Sequence, residues 1–349
     1  MENMLVTGGC GFIGANFIHY LLKESDFEGR IVNVDKLTYA GNPENLTDIE
    51  KDYQDRYIFI KADICDGKRM DKIFDDYQID SVCHFAAESH VDRSIVSPDA
   101  FIRTNILGTF NLLEAARSRQ RQMIRFHHIS TDEVYGSLGK EGYFTETTPY
   151  RPNSPYSASK ASSDHLVRAY YKTYGLPMTI SNCSNNYGPY QFPEKLIPLI
   201  ILNALGGKPL PIYGDGRNVR DWLYVRDHCT AVWTIMKRGK TGETYNVGGN
   251  SEMENITIVE MICNILDDMR PLNTGGTLKD LITFVTDRPG HDRRYAIDFT
   301  KLSREMNWAP EASLESGIRD TIQWYLDNRE WVDRVKSGEY LSWVKKQYG

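Results

Sequence analysis

The sequence predicts an α/β protein with a doubly wound parallel sheet, followed by a smaller mixed α/β domain. From residue 3 to about residue 182, short β-branched runs alternate with longer helical patterns. This alternation is typical of βαβ units. Beyond residue 182 the alternation stops, and loops containing Gly and Pro follow. A glycine-rich turn directly after the first strand is the third observation that favours this fold class.

Six strands are predicted, at residues 4–7, 31–35, 57–61, 81–85, 125–130 and 178–182. Helices between them are expected to begin near Phe12, Glu44, Lys68, Pro98 and Pro155. Right-handed crossovers would place these helices on both faces of the sheet. Later helical patterns cover residues 195–205, 225–236, 257–268 and 314–328, and a terminal helix is predicted in the tail. We therefore expect a first domain over residues 1–185 and a second over residues 186–349, with some crossing of the chain between them.

Composition excludes several classes of protein. The 349 residues carry a net charge of −6 with 41% hydrophobic residues, which is ordinary for a globular protein. A mildly acidic chain argues against general binding to nucleic acids or anionic membranes. No apolar run approaches the ~20 residues that span a bilayer, and the N-terminus does not resemble a signal peptide. Six isolated cysteines predict reduced thiols and no metal site, so we expect a cytoplasmic protein.

A glycine-rich turn follows the first predicted strand and opens the first predicted helix. Gly9, Gly11 and Gly14 fit the pattern G-x-G-x-x-G, and Gly8 offers the alternative start G-x-x-G-x-x-G. Glycines at these positions permit a tight turn and close approach of the backbone to a pyrophosphate at a helix N-terminus. Asp35 ends the second strand, where a carboxylate accepts ribose hydroxyls and disfavours a 2′-phosphate. The sequence thus predicts a Rossmann-type sheet that binds NAD.

Two further strand ends point to the same edge of the sheet. Asp63 follows the third strand, and Phe85-Ala86-Ala87 follows the fourth. Ligands of open α/β sheets bind outside the carboxyl ends of the strands, so these residues are expected to contact the nucleotide. Asp63 also suits a turn or a helix cap, and this alternative stays open.

Tyr156 and Lys160 are one turn apart in a predicted helix that Asn153 or Ser154 would cap. An ammonium beside a phenol, together with an oxidised nicotinamide, stabilises phenolate and lowers a pKa that begins near ~10. Tyr156 is therefore a candidate base that takes a proton from an alcohol while NAD accepts a hydride. An ordinary exposed Tyr/Lys pair is the alternative.

Asp132 and Glu133 follow the fifth strand and point to elimination chemistry. Neighbouring environments can separate the pKa values of two carboxyl groups, so that one is an acid and the other a base. Removal of water needs both functions, whereas a simple dehydrogenase does not. The alternative is a solvated acidic turn.

Together these residues resemble the extended short-chain dehydrogenases/reductases that modify nucleotide sugars, and the motifs match the dehydratases of that family. The resemblance covers essentially the whole chain. The motifs that carry it are FAAESHVDRS at 85–94, STDEVYG at 130–136, Y-x-x-x-K at 156–160, NNYGPYQ at 185–191, RDWLYV at 220–225 and RPGHD at 288–292.

The resemblance implies a catalytic role for each of five residues. Tyr156 deprotonates the sugar 4-hydroxyl, and Thr131 hydrogen-bonds the 4-oxygen. Glu133 removes the C5 proton, and Asp132 protonates the departing C6 hydroxyl. Lys160 holds the nicotinamide ribose. The hydride taken from C4 returns to C6, so NAD ends as it began.

The resemblance also implies two sets of binding residues. The NAD set comprises Gly8, Gly11, Phe12, Ile13, Gly14, Asp35, Lys36, Leu37, Thr38, Asp63, Ile64, Phe85, Ala86, Ala87, Ser89, Thr104, Tyr156, Lys160 and Asn186. The sugar-nucleotide set comprises Ser89, Thr131, Asn185, Lys195, Leu196, Pro211, Tyr213, Arg220, Asn255, Arg288 and His291. Arg220 suits a diphosphate because the guanidinium presents a planar fork of donors.

Apolar residues recur at helical spacing in residues 98–117 and 155–174, a pattern more typical of core than of an interface. The resemblance nevertheless implies a homodimer, in which these two helices pair across a twofold axis into a four-helix bundle. A nucleotide-sugar 4-epimerase or decarboxylase, a non-catalytic NAD-binding protein, and a secreted or membrane-associated binding module are the competing hypotheses. The residues do not decide between thymine, uracil and cytosine as the base.

Overall fold

The computed structural model of the chain describes residues 1–270, 276–287 and 291–336. Its strands are β1 (Asn3–Thr7), β2 (Arg30–Asp35), β3 (Tyr57–Lys61), β4 (Ser81–His84), β5 (Arg125–Thr131), β6 (Met178–Cys183), β7 (Asn185–Tyr187), β8 (Leu210–Tyr213), β9 (Val219–Tyr224), β10 (Thr244–Val247), β11 (Glu252–Glu254) and β12 (Ile282–Val285). Seven of them form a central parallel sheet in the order β10-β6-β5-β4-β1-β2-β3.

The α-helices of the described residues cover both faces of this sheet and build the second part of the chain. They are α1 (Phe12–Lys23), α2 (Thr47–Asp52), α3 (Gly67–Asp76), α4 (Val91–Val96), α5 (Pro98–Phe101), α6 (Thr109–Ser118), α7 (Pro155–Tyr174), α8 (Leu196–Leu205), α9 (Val225–Arg238), α10 (Asn255–Met269), α11 (Thr300–Met306), α12 (Leu314–Asp327) and α13 (Arg329–Lys336).

Two apolar layers hold these helices on the sheet. On one face, α3, α6 and α7 pack on β-branched strand residues such as Val32, Val82 and Ile180. On the other face, α1 and α9 pack on Met4, Val6 and neighbouring side chains. A strand buried on both faces needs apolar residues in succession, which is why the strand patterns are nearly continuous. The doubly wound α/β fold is confirmed.

The six predicted strands lie within one residue of their expected ends. The seventh, β10, was not predicted, because Thr244–Val247 is short and half polar. It pairs in parallel with β6 at the edge of the large sheet. The chain therefore returns to this sheet well after residue 186.

The predicted helix over residues 98–117 is wrong in one respect, because a π-helical segment, Ile102–Gly108, separates α5 from α6. The Asn105 side chain exchanges two hydrogen bonds with the Glu88 backbone and donates a third to Ser159 Oγ. These tertiary contacts favour a widened turn, a feature that often occurs at functional sites. The residue Thr104 thereby faces the carboxyl edge of the sheet.

The second part of the chain has its own core, formed by α8, α10, α12 and α13 with β8 and β9. Two small sheets, β11-β9-β7 and β12-β8, accompany these helices. Trp331 on α13 donates a 2.7 Å hydrogen bond to the Asn45 side chain, which ties this part to the first. The predicted terminal helix is described as far as Lys336, and residues 337–349 lie outside the described residues.

All six cysteines are free thiols, as predicted. Within the described ranges, no helix is long and apolar enough to cross a membrane.

We expect Gly14→Ala to lower the midpoint of thermal unfolding by roughly 5 °C. A Cβ at Gly14 would lie 2.3 Å from the Gly8 carbonyl oxygen and 2.8 Å from Gly9 Cα, so β1 and α1 would have to separate. Gly139→Ala is the matched control, because its Cβ would meet no atom within 4 Å. Equal midpoints for the two variants in differential scanning calorimetry would contradict this packing argument.

Candidate active site

A cleft opens at the carboxyl edge of the large sheet, where the strand order reverses between β1 and β4. The order reversal sends the connections after β1 and β4 to opposite faces, which leaves a crevice between them. The ends of β1, β2, β4, β5 and β6 all contribute residues to its walls.

The glycine turn forms one wall of the cleft. Gly8 has φ +72°, and a Cβ there would lie 2.7 Å from the Ala86 backbone. Gly11 differs, because its Cβ would meet only the Gly8 carbonyl oxygen, at 3.3 Å. The backbone at Gly11 is therefore open to the cleft, directly before the N-terminus of α1. This arrangement fits a pyrophosphate that approaches the backbone closely.

Asp35 is held rigidly at the end of β2. One carboxylate oxygen accepts the Cys10 N–H at 3.0 Å, and the other accepts the Leu37 N–H at 2.8 Å. Burial raises the pKa of Asp35, although these two hydrogen bonds oppose the rise. Each oxygen keeps a second lone pair, so the carboxylate can still accept ribose hydroxyls.

Asp63 lies on the cleft wall and also forms a turn, so its position is compatible with both of the roles that the sequence left open. It lines the cleft, and its Oδ1 accepts the Cys65 N–H at 2.9 Å in a turn. Its Oδ2 lies 2.7 Å from the Lys36 ammonium. Burial disfavours the charged carboxylate, but Lys36 and the Cys65 N–H together hold the pKa of Asp63 below its usual value.

Leu37 is the one predicted cofactor residue that the structure does not bring to the cleft wall. Its side chain packs against the apolar core beneath α1, while its N–H fixes Asp35. The others line the cleft: Gly8, Gly11, Phe12, Ile13, Gly14, Asp35, Lys36, Thr38, Asp63, Ile64, Phe85, Ala86, Ala87, Ser89, Thr104, Tyr156, Lys160 and Asn186.

The two predicted carboxyl groups stand at the end of β5. Thr131 caps a 3₁₀ turn, Asp132–Tyr135, by accepting the Glu133 N–H at 3.3 Å. Asp132 is buried, and its Oδ2 has no hydrogen-bond partner among the described residues. Burial raises the pKa of Asp132 well above its usual range, and the nearby charges of Glu133 and Asp221 raise it further. Asp132 is therefore suited to be a protonated acid.

Tyr156 and Lys160 line the cleft from α7, which begins with a Ser154 capping box. Lys160 Nζ donates a 2.7 Å hydrogen bond to the Ile129 carbonyl oxygen. We expect Lys160 and an oxidised nicotinamide together to lower the pKa of Tyr156. Within the protein alone, burial and the Glu133 charge raise the pKa of the phenol. The protein groups by themselves thus favour the protonated phenol, and the positive charge of the nicotinamide stays part of the prediction.

The predicted sugar-nucleotide residues form two groups. Ser89, Thr131, Asn185 and Lys195 line the cleft. The described residues Leu196, Pro211, Tyr213, Arg220, Asn255 and His291 do not line it, and Arg288 lies outside the described residues.

Two members of the second group, Tyr213 and His291, lie close together in the second part of the chain. The Tyr213 and His291 rings are 6.2 Å apart, and His291 Nδ1 lies 2.6 Å from an Asp287 oxygen. Asn255 N–H donates to the Asn218 carbonyl oxygen, and the Asn255 side-chain oxygen is buried without a partner among the described residues. An unused buried acceptor of this kind fits a ligand donor.

Arg220 belongs to the second group, but its charge acts on the cleft residue Asp132. It donates to the carbonyl oxygens of Val219 and Asp292, at 2.8 and 2.9 Å, and stacks on the Tyr295 ring. Its charge also lowers the pKa of Asp132, in opposition to the burial that raises it.

Sequence reasoning missed several residues of the cleft wall. Tyr39 donates a 2.9 Å hydrogen bond to the buried Glu194, and the Arg93 guanidinium lies 3.4 Å from the centre of the Tyr39 ring. Glu88 and Cys183 are two further residues of the wall. Glu88 lies inside the FAAESHVDRS motif and Cys183 ends β6, so both positions carry a usable signal, whereas Tyr39 carries no pattern of its own.

Comparison with known proteins agrees with this geometry. The family model described as GDP-mannose 4,6 dehydratase matches residues 5–321. The chain is 56% identical to dTDP-glucose 4,6-dehydratase 1 of Escherichia coli strain K12, over 99% of this chain and 98% of that relative.

Solved structures of related enzymes have the same fold as this chain. A dTDP-glucose 4,6-dehydratase from Bacillus anthracis, solved in complex with NAD, is 47% identical with a TM-score of 0.87, over 96% of this chain and all of that one. A UDP-glucose 4-epimerase from Thermotoga maritima, solved with UDP-glucose, is 28% identical with a TM-score of 0.83, over 94% of this chain and 100% of that one. The chain thus belongs to the dTDP-glucose 4,6-dehydratase family of extended short-chain dehydrogenases/reductases.

Proposed function

We propose that this chain is an NAD-dependent hydro-lyase that converts dTDP-D-glucose to dTDP-4-keto-6-deoxy-D-glucose and water. The observation that carries the proposal is the acidic pair at the end of β5. A buried Asp132, with its pKa raised, adjoins Glu133 in the same cleft as Tyr156. An acid and a base side by side are needed for elimination, and relatives at 56% and 57% identity are dTDP-glucose 4,6-dehydratases.

The cleft fits NAD on the evidence of its own residues. The open backbone at Gly11 fits the pyrophosphate, and Asp35 fits a ribose and opposes a 2′-phosphate. Lys160 and Tyr156 also line this cleft, and they would hold the nicotinamide ribose. When bound, NAD would accept a hydride from the sugar C4 and give it back to C6.

Tyr156, Glu133 and Asp132 each move one proton. Tyr156 takes the proton of the 4-hydroxyl, and Thr131 donates a hydrogen bond to the 4-oxygen. Oxidation at C4 makes the C5 proton acidic, and Glu133 removes it. Asp132, which burial keeps protonated, gives its proton to the C6 hydroxyl so that it leaves as water. The Glu133 proton then returns to C5, where the bound cofactor would supply hydride to the adjoining C6. Proton exchange with solvent restores the Tyr156 phenolate and the Asp132 acid.

The second part of the chain, residues 186–349, would bind the sugar nucleotide, and residues 1–185 would bind NAD. Support comes from Lys195 on the cleft wall, from the neighbouring rings of Tyr213 and His291, and from the Asn255 side-chain oxygen, which is buried without a partner among the described residues. Thymine as the base rests on the relatives, because one methyl group contributes only ~1–3 kcal/mol to discrimination. The product would enter deoxysugar synthesis of the dTDP-L-rhamnose type, in the cytoplasm.

We also propose a homodimer in which α7 and the helical segment 98–118 of each protomer form a four-helix bundle. Among the apolar residues of these helices, Phe101 and Leu113 are buried in the protomer. Ile102, Leu107 and Phe110 are instead exposed, at 54%, 43% and 40%. Exposed apolar side chains that cluster on one face are typical of an interface.

The overall reaction predicts a specific fate for the C4 hydrogen. Incubation with dTDP-glucose deuterated at C4, without added reductant, should give a product that has lost one water and carries the deuterium at C6. Mass spectrometry with fragmentation of the sugar locates the label. An unchanged mass would contradict the proposal and favour a 4-epimerase or a site that only binds. Parallel incubations with UDP-glucose and CDP-glucose measure the preference of the enzyme for the nucleotide base of the substrate.

Glu133→Gln should permit oxidation at C4 but prevent elimination, because the amide cannot accept the C5 proton. We expect reduced nicotinamide to accumulate on the enzyme while turnover falls by about 10²-fold or more. Stopped-flow absorbance and product analysis measure the two effects. Glu141→Gln, in an exposed loop, is the matched control. Normal product release by Glu133→Gln would remove Glu133 as the base.

A double substitution of Ile102 and Phe110 by glutamate should convert the dimer to a monomer, because it places four charges in the proposed bundle. Sedimentation velocity measures the change in mass. Phe284→Glu, at an exposed apolar residue on β12, is the control and should leave the mass unchanged. A wild-type protein that sediments as a monomer would refute the bundle.

A further inference from the structure

One buried carboxylate beneath the cleft has no part in the proposed steps. Asp164 lies one helical turn after Lys160 on α7, and its side chain is fully buried. Its Oδ2 accepts hydrogen bonds from Ser130 Oγ and the Tyr150 hydroxyl, both at 2.8 Å. Its Oδ1 lies 3.3 Å from His128 Nε2. The two donors on Oδ2 hold the carboxylate in one orientation, whereas Oδ1 accepts no hydrogen bond from the described residues.

These contacts connect the two elements that carry the catalytic residues. Ser130 on β5 binds Asp164, and the preceding residue, Ile129, accepts the Lys160 ammonium at 2.7 Å. Two neighbouring residues of β5 thus hold the two charged residues of α7. The next residues along β5 are Thr131 and the acidic pair, so their distance from α7 depends on the same contacts.

The titratable groups that act on Lys160 lie on four elements. His84 of β4 and His128 of β5 are buried, and burial lowers the pKa of both, that of His128 to about 4, so they are neutral near pH 7. Burial raises the pKa of the Cys183 thiol on β6 to about 12, so it is also neutral. Asp164 alone remains charged among these groups of the described chain.

Lys160 and Asp164 each favour the charged form of the other. Burial disfavours the carboxylate of Asp164, but His128, Lys160 and Ser130 together hold its pKa below the usual value. Burial lowers the pKa of Lys160, and Asp164 opposes this effect. A fully buried ammonium without a counter-ion readily loses its proton.

We propose that Asp164 is a positioning residue for the oxidation step, because its carboxylate is the counter-ion that keeps the buried Lys160 ammonium charged and fixes α7 against β5. This inference rests on the proposed function, since it assigns Lys160 a charged role beside Tyr156. Loss of the carboxylate leaves Lys160 able to become a neutral amine at lower pH. A neutral amine no longer favours the phenolate of Tyr156.

The direct test is the protonation of Lys160 in Asp164→Asn. The holoenzyme is labelled with ¹³Cε-lysine, and the Lys160 resonance is identified by its absence in Lys160→Met. The NMR titration midpoint of Lys160 should move to lower pH by about one pH unit or more. Tyr150→Phe removes one hydrogen bond from Asp164 but not its charge, so the midpoint should stay near that of the parent. An unchanged midpoint in Asp164→Asn overturns the proposal.

The pH dependence of nicotinamide reduction tests whether the charge of Lys160 affects the oxidation step. In the Glu133→Gln background, the rate of nicotinamide reduction should fall as the pH rises through the pKa of Lys160. Asp164→Asn should move this alkaline limb to lower pH, whereas Asp227→Asn, a remote buried carboxylate that accepts the Ala312 N–H, should not. A uniform loss of rate with an unshifted limb would indicate a merely structural role and overturn the proposal.

The two readouts separate failure of this inference from failure of the proposed function. If the Glu133→Gln parent reduces no nicotinamide, the proposed reaction is wrong, while the NMR titration still tests the Lys160 counter-ion. If Asp164→Asn does not fold, Asp164→Thr replaces it, since a hydroxyl can accept from Ser130 and Tyr150 without a charge. The same shift of the Lys160 midpoint is expected in that variant.

Discussion

The junction between β5 and α7 is the contact on which the candidate site depends. Lys160 donates to the Ile129 carbonyl oxygen, and Ser130 donates to Asp164, so a strand and a helix are joined by buried polar bonds at two neighbouring residues. Such bonds are directional, whereas apolar packing alone would allow the helix to slide. Thr131 and the acidic pair follow on the strand, and Tyr156 precedes on the helix. One junction therefore sets the distance between the groups that handle three different protons.

Burial shifts the pKa values of three candidate catalytic residues at this edge of the sheet. The same low-polarity surroundings raise the pKa of Asp132 and Tyr156 and lower that of Lys160. For Asp132 this outcome suits an acid. For Tyr156 it is unfavourable to the phenolate, and a positive charge must compensate. In the protein alone, the surroundings of Tyr156 therefore favour the protonated phenol, and its proposed role as a base requires a nearby positive charge.

The first strands and many residues of the cleft wall were predictable from the sequence because their signals are local. Glycine spacing, a strand-ending Asp35 and β-branched runs all depend on neighbouring residues. The features that the sequence did not predict depend on contacts with residues far along the chain. The π-helical segment follows from contacts of Asn105 with residues far along the chain, and β10 is recognisable only beside β6. Asp164 has the spacing of an ordinary surface ion pair on a helix, and only the fold shows that it is buried.

The late return of the chain to the large sheet has a consequence for synthesis. Until Thr244–Val247 emerges, β6 is the last strand of its sheet and exposes its unpaired N–H and C=O groups along one side. An uncovered edge of this kind invites pairing with another chain. Because β10 pairs with a strand more than sixty residues earlier, the sheet closes slowly as well. A nascent or truncated chain that ends before residue 244 would therefore expose β6 as an edge strand that promotes aggregation. Pairing of the short, half-polar β10 with β6 covers this edge.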